Sequence, residues 1–137
     1  FFTVYGPRGR PDMAPYKFTK AIMNDEHFTK YGDGSSSRDY TYIDDIVSGI
    51  IGSLENKKNI QYGIYNLGNS SPVSLNTFID YCEKVTDKKA MFNQIENQLG
   101  DVPKTYANIT KAKEDLDYDP KTKLLDGLHK TFDYLQS

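Results

Sequence analysis

The 137 residues make one domain, long enough to bury roughly two thirds of the surface its unfolded chain exposes, so a core forms without covalent staples. Seventeen basic and nineteen acidic residues leave a net charge of −2 and are interspersed along the chain, which excludes the broad basic field that a nucleic-acid partner requires. No apolar run approaches the ~20 residues of a membrane span, and the single cysteine, Cys82, permits no internal disulfide, which fits a reducing, cytoplasmic setting.

Phe1 to Tyr5 (FFTVY) is rich in β-branched and aromatic residues and is closed by Gly6-Pro7, the pattern of a strand that stops abruptly. The chain opens on this strand with neither a methionine nor a leader, which reads as a cut inside a longer polypeptide whose other strands would continue the sheet. The loop GPRGRP then holds Arg8 and Arg10 among glycines and prolines, where their planar, permanently charged forks suit carboxylate or phosphate. Two solvated loop arginines account for the spacing equally well. Asp12 is placed to cap a helix running to about Asn24, with Pro15 in its first turn. Tyr16 and Lys20 share one face of it at i, i+4, but any lysine-rich helix with a tyrosine produces that pair often, and no glycine-rich cofactor loop precedes it.

The stretch YGDGSSSRDYTYIDDIVSGIIGSL, Tyr31 to Leu54, is the centre of the pattern. Gly32, Asp33, Gly34 and three serines form a turn-rich loop between two aromatic segments, His27 to Tyr31 and Arg38 to Tyr42, which predicts a hairpin. Ile43, Ile46, Val47, Ile50, Ile51 and Leu54 follow at helical spacing, with Asp44 and Asp45 in the first turn, where the helix dipole favours anions. That helix is expected to be buried and to carry the strand bearing Arg38. Asn56 to Asn59 is a polar connector, and Gln61 to Leu67 alternates like a buried strand.

Ser74 is a candidate N-cap for a helix from Leu75 to Val85, and Cys82 falls on its apolar face as a core thiol. Ala90 to Ile95 reads as a strand, and Asn97 to Pro103 as a loop in which Gly100 permits a tight turn beside the carboxylate of Asp101. Thr110 is a candidate cap for a short helix near Lys111 to Leu116, and Leu124, Leu125, Leu128, Phe132 and Leu135 stripe a final helix. His27 and His129 lack ligand-spaced partners, so no metal is assigned. The sequons at Asn69 and Asn108 are chance matches in the absence of a secretory signal. From residues alone this is a small α/β domain with two arginine-bearing loops and one acidic loop. Converging arginines suit a diphosphate, and an aspartate can accept from paired sugar hydroxyls.

The ordered motifs from Phe1 to Ala14 (FFTVYGPRGRPDMA), from Tyr31 to Gly34 and Arg38 to Asp45 (YGDG, RDYTYIDD), Gly100 to Pro103 (GDVP) and Tyr118 to Pro120 (YDP) resemble the C-terminal part of the extended short-chain dehydrogenase/reductase family, and within it the UDP-glucuronate 4-epimerases. The resemblance covers essentially the whole chain. It implies a small mixed-sheet and helix substrate-binding domain that lacks most of the Rossmann sheet. The missing N-terminal domain would bind NAD and carry the Ser/Thr and Tyr-x-x-x-Lys that perform the chemistry, so this stretch itself would bind no NAD and catalyse nothing. It further implies that Phe1 and Phe2 stand near the nicotinamide, and that Thr3 reaches the hexose or its carboxylate. Arg10 would face the uronate end, Tyr31 would meet the uracil through its main chain, Arg38 would clamp the diphosphate, and Asp101 would hold ribose hydroxyls. Gln98 and Leu99 stand where the family often has an arginine or a proline. The parent is expected to be a homodimer acting on a UDP-sugar. Other readings are a different nucleotide-sugar enzyme of the family, such as a 4,6-dehydratase, a decarboxylase or a UDP-glucose 4-epimerase, and, from another class, a non-catalytic nucleotide-sugar- or protein-binding module.

Overall fold

A computed structural model describes residues 1–55 and 57–137; Asn56, the first residue of the expected polar connector, lies outside them. Among the described residues the chain forms β1 (Val4–Tyr5), α1 (Ala14–Met23), β2 (His27–Tyr31), β3 (Ser37–Arg38), β4 (Thr41–Tyr42), α2 (Ile43–Glu55), β5 (Val73–Ser74), α3 (Leu75–Thr86), β6 (Met91–Ile95), α4 (Thr110–Leu116) and α5 (Leu124–Gln136). The fold is the expected mixture of helices with short parallel and antiparallel strand pairs.

The pairing differs from the hairpin that the sequence predicts. β2 pairs in parallel with β6, from His27 opposite Met91 to Tyr31 opposite Ile95. β3 pairs antiparallel with β5, and β4 in parallel with β1. The turn forms, but the chain leaving it is captured by the start of α3: Asn76 N–H donates to Gly34 O at 3.0 Å and Leu75 N–H to Ser36 O at 2.9 Å. Those bonds carry Ser37 and Arg38 to β5 and away from β2. The predicted strand from Arg38 to Tyr42 is thereby split at Asp39 and Tyr40.

Asp39 explains the split. Its fully buried carboxylate accepts from the main-chain N–H groups of Asn69 (3.1 Å), Ser70 (3.0 Å) and Ala107 (2.9 Å), so it joins three segments distant in sequence. Asp45 does the same in the first turn of α2, accepting from Lys121 and Thr122 N–H at 3.1 Å each. Its position near the helix start is therefore used for tertiary cross-linking as well as for the dipole.

Two apolar clusters form the interior. Tyr5, Phe18, Phe28, Tyr40, Phe78, Cys82 and Leu128 belong to the one between α1, α3 and α5, where Phe18 stacks on Phe28 with centroids 4.2 Å apart and Tyr40 stacks on Phe78 at 4.6 Å. Ile46, Leu67, Ala107, Ile109, Ala112, Leu116 and Tyr118 form the other, between α2 and α4. Aromatic pairs of this kind contribute about 0.5–1.5 kcal/mol beyond their buried area.

Helix α2 meets the second cluster with the face opposite to the one expected. Gly49 and Gly52 let the helix approach so closely that an added Cβ would lie 2.7 Å from Leu67 Cδ1 and 2.2 Å from Leu116 O. The stripe Val47, Ile50, Ile51 and Leu54 is turned outward, 42, 38, 49 and 79% exposed. Only Ile46 of the expected set is fully buried, because the inward face is the narrow glycine face.

Further corrections are local. Gln61 to Leu67 forms no ladder: Tyr62 and Ile64 are exposed, and the segment is tied across α4 by Lys111 Nζ donating to Ile64 O (3.1 Å) and Tyr65 Oη–H donating to Asp115 Oδ2 (3.0 Å). Asp12 does not cap α1, whose cap position is Met13 with no side-chain bond, because its carboxylate is taken by Arg10. Thr110 lies inside α4 and donates its N–H to Asn108 Oδ1 at 3.1 Å. Ser74 caps α3 as expected, accepting from Thr77 N–H at 3.1 Å.

Candidate functional site

Arg38 is fixed from both sides. Its strand lies against β5 on one edge, while Ser37 N–H donates to Pro103 O (2.9 Å) and Thr105 N–H to Ser37 O (3.1 Å) on the other. The acidic loop is thus brought 63 residues along the chain to the arginine. Arg38 Nη2 donates to Asp101 Oδ1 at 2.5 Å and Nη1 to Ser37 O at 2.9 Å. The arginine side chain is 20% exposed and the aspartate 49%, so the pair closes over a recess from its solvent side.

That recess encloses about 160 Å³ and is lined by Ala14, Phe18, Tyr31, Ser36, Arg38, Tyr40, Leu75 and Asp101. It is small beside the roughly 300 Å³ of a typical ligand cavity. Asp101 nevertheless belongs to a loop that can yield, since Gly100 has φ +85° with nothing around it and Leu99 is fully exposed. Tyr31 ends β2 on the rim of the recess, where the next residue donates Gly32 N–H to Ile95 O at 2.8 Å. Tyr40, which residue-level reading did not single out, supplies the buried wall, and burial pushes its phenol well above the usual tyrosine range. Its place two residues after Arg38, in an aromatic-rich segment, was the available signal.

A second hollow, about 430 Å³, is lined by Phe1, Thr3, Tyr5, Arg8, Arg10, Met13 and Ile43 among others. Arg10 is on its edge, held by Asp12 through two parallel bonds, Nε to Oδ1 at 2.8 Å and Nη2 to Oδ2 at 2.6 Å. Bonding to Arg10 holds the Asp12 carboxyl below its ordinary range. Phe2 turns away from this hollow: its ring packs on the second apolar cluster and its N–H donates to Leu67 O at 3.0 Å.

The structure therefore divides the expected site residues. Tyr31, Arg38 and Asp101 share the first recess, Phe1, Thr3 and Arg10 line the second, and Phe2 lines neither. Both hollows reach the start of α1, where consecutive residues, Met13 and Ala14, line the one and the other. The first offers a guanidinium and a carboxylate side by side, a pair able to hold an anionic group and a diol at adjacent points. Cys82 takes no part, since it is buried, in contact with Thr19 Oγ1 at 3.5 Å, and burial pushes its thiol up to about 12.

Comparison with known proteins adds to this geometry. Residues 1–68 match the family model described as NAD dependent epimerase/dehydratase family. The chain is 42% identical to Protein CapI of Staphylococcus aureus, covering 98% of this chain and 45% of that protein. It is also 42% identical to UDP-glucuronate 4-epimerase of Thermodesulfobacterium geofontis, covering 98% and 41%. The crystal structure of UDP-glucuronic acid 4-epimerase from Bacillus cereus in complex with UDP-glucuronic acid and NAD superposes with a TM-score of 0.93 at 41% identity, over 98% of this chain and 43% of that one. The chain thus spans less than half the length of the relatives it matches. With the motif order, the mixed α/β architecture and these likenesses in agreement, the chain belongs to the NAD dependent epimerase/dehydratase family.

Proposed function

We propose that the chain is the nucleotide-sugar-binding C-terminal part of an NAD-dependent 4-epimerase whose substrate is a UDP-hexuronate. The observation that carries this reading is the convergence of Arg38 and Asp101, 63 residues apart, on one recess beside the hollow that holds Thr3 and Arg10. Arg38 clamps the diphosphate, Asp101 accepts from the ribose hydroxyls, the main chain at Tyr31 meets the uracil, and Thr3 and Arg10 face the uronate.

When bound, NAD supplies reversible hydride acceptance at sugar C4, which inverts that carbon when the hydride returns to the opposite face. This chain fits the cofactor only at an edge. Phe1 presents an exposed ring on the rim of the larger hollow, whereas the Phe2 amide is already taken by Leu67 O. The sequence contains no Gly-x-x-Gly-x-x-Gly loop to receive a pyrophosphate, so the cradle is assigned to a preceding Rossmann domain. The bare apolar stripe of α2 and the two-residue parallel pair β1–β4 support that assignment, because parallel strands are normally covered on both faces.

The test is to join the chain to its preceding domain and follow UDP-glucuronate by NMR with catalytic NAD. Inversion at C4 is expected from the joined polypeptide, and neither turnover nor NAD binding from the 137-residue chain alone. Turnover by the isolated chain, or failure of the joined polypeptide to act on any UDP-hexuronate, overturns the reading.

A further inference from the structure

We propose that Thr105 is a positioning residue whose hydroxyl holds the loop carrying Asp101 at the distance from Arg38 that a nucleoside diphosphate requires. The inference rests on the UDP-hexuronate reading above and adds to it a residue that acts through Asp101.

The main-chain pattern supplies the first argument. Residues 103–105 run parallel to β3 along the edge that β5 leaves free, with Ser37 opposite Lys104. Ser37 N–H donates to Pro103 O at 2.9 Å and Thr105 N–H to Ser37 O at 3.1 Å, which are two successive rungs of a parallel ladder. The next rung of such a ladder runs from Asp39 N–H to the main-chain carbonyl of Thr105. Here Asp39 N–H donates to Thr105 Oγ1 instead, at 3.0 Å. The hydroxyl thus completes the attachment where the main chain leaves it, and the chain turns so that Ala107 N–H reaches Asp39 Oδ2 at 2.9 Å.

The second argument is what depends on that rung. Arg38 keeps its other edge on β5, opposite Val73, whether or not Thr105 holds. Asp101 has no such support. Its N–H bonds within its own loop, to Gln98 O at 3.1 Å, and a Cβ on the neighbouring Gly100 would meet nothing within 4 Å. Among the described residues its carboxylate bonds Arg38 alone. The rungs at Pro103 and Thr105, two and four residues on, therefore set where the carboxylate stands. A slip of one residue along β3 would move it by about 3.3 Å. The ribose limits how far the diol of a nucleotide can stand from its diphosphate, so a loosened Asp101 loses the diol while Arg38 keeps the diphosphate.

The experiment measures calorimetric Kd for UDP and for inorganic diphosphate, beside a thermal melt, in the joined polypeptide. Thr105→Val keeps the shape and removes the acceptor, and Thr105→Ser keeps the acceptor. Thr105→Cys, a weak acceptor of similar size, should give the valine pattern at smaller amplitude and replaces it if valine unfolds the chain. Thr105→Val should weaken UDP by about five-fold, the size of one neutral hydrogen bond, while inorganic diphosphate binds as tightly as before or tighter. Thr105→Ser should stay within about two-fold for both ligands. In an Asp101→Ala background Thr105→Val should change UDP by less than about two-fold, because the contact it positions is already gone. Losses shared by both ligands, a loss undiminished in the Asp101→Ala background, or an unchanged UDP Kd where Asp101→Ala itself weakens UDP overturn the role of Thr105. An Asp101→Ala protein that binds UDP as tightly as the unsubstituted one overturns the diol role of Asp101, and an unsubstituted protein that does not bind UDP overturns the nucleotide-sugar reading itself.

Discussion

Replacing Arg38 by glutamine separates binding from stability. In the free chain the guanidinium is committed to Asp101 at 2.5 Å, a pair with side chains 20 and 49% exposed. Partly solvated pairs of that kind contribute about 0–1 kcal/mol to folding, so Arg38→Gln should lower Tm by only a few degrees. A bound diphosphate gains more, because two charge-assisted bonds contribute about 1.5–3 kcal/mol each, and displacing Asp101 returns at most about 1 kcal/mol of that. The expected net loss of affinity is about 2–6 kcal/mol, roughly 30- to 25,000-fold in Kd. Calorimetric titration of the joined polypeptide with UDP, run beside a thermal melt, reads both quantities. Asp101→Asn is the matched control: it frees Arg38 and should tighten inorganic diphosphate by up to about five-fold while weakening UDP, which loses its diol acceptor. An Arg38→Gln Kd within about three-fold of the parent, or an affinity loss that merely tracks a collapse in Tm, refutes the reasoning.

Gly52→Ala sets helix propensity, a gain of about 1 kcal/mol, against a Cβ placed 2.2 Å from Leu116 O, and the clash with fixed backbone should win by about 1–2 kcal/mol in urea denaturation. A stabilised variant would mean that α2 and α4 do not pack as described. Asp39→Ala leaves one buried and two part-buried main-chain N–H groups without an acceptor and should remove about 3–5 kcal/mol, enough to unfold a marginal domain, as read by circular dichroism. Burial raises the Cys82 thiol from the usual 9.0 to about 12, so folded protein should resist a thiol reagent at pH 8 until denatured. Below pH 9 both the folded and the unfolded chain keep that proton and stability is intact; above it the unfolded thiol ionises first, and stability falls by about 1.4 kcal/mol per pH unit until the folded value near 12 is passed. Denaturation midpoints that do not change from pH 8 to 11 would contradict this.

Local chemistry was legible wherever neighbours along the chain decide the outcome. Ser74 caps α3 because its acceptor lies three residues away, the helical periods of α3 and α5 follow their apolar stripes, and the turn at Gly32 to Gly34 needs only glycine and a short polar side chain. Acceptors that lie far away in sequence were not legible. Nothing near Asp39 tells that its carboxylate will collect amides from Asn69, Ser70 and Ala107, and that choice turns an apparent hairpin into three separate strand pairs.

The candidate site divides in the same way. Motif order placed Arg38 and Asp101 in one functional group, but only the packing of the 97–105 loop against β3 brings guanidinium to carboxylate. By residue type Arg8 and Arg10 stood level as loop arginines, and only the family resemblance singled out Arg10. Tertiary structure distinguished them, because Asp12 can satisfy one fork and the turn geometry holds the other apart from any carboxylate. The apolar period of α2 was set by sequence, yet which face turns inward was decided by Gly49 and Gly52, since backbone can approach backbone only where no side chain intervenes.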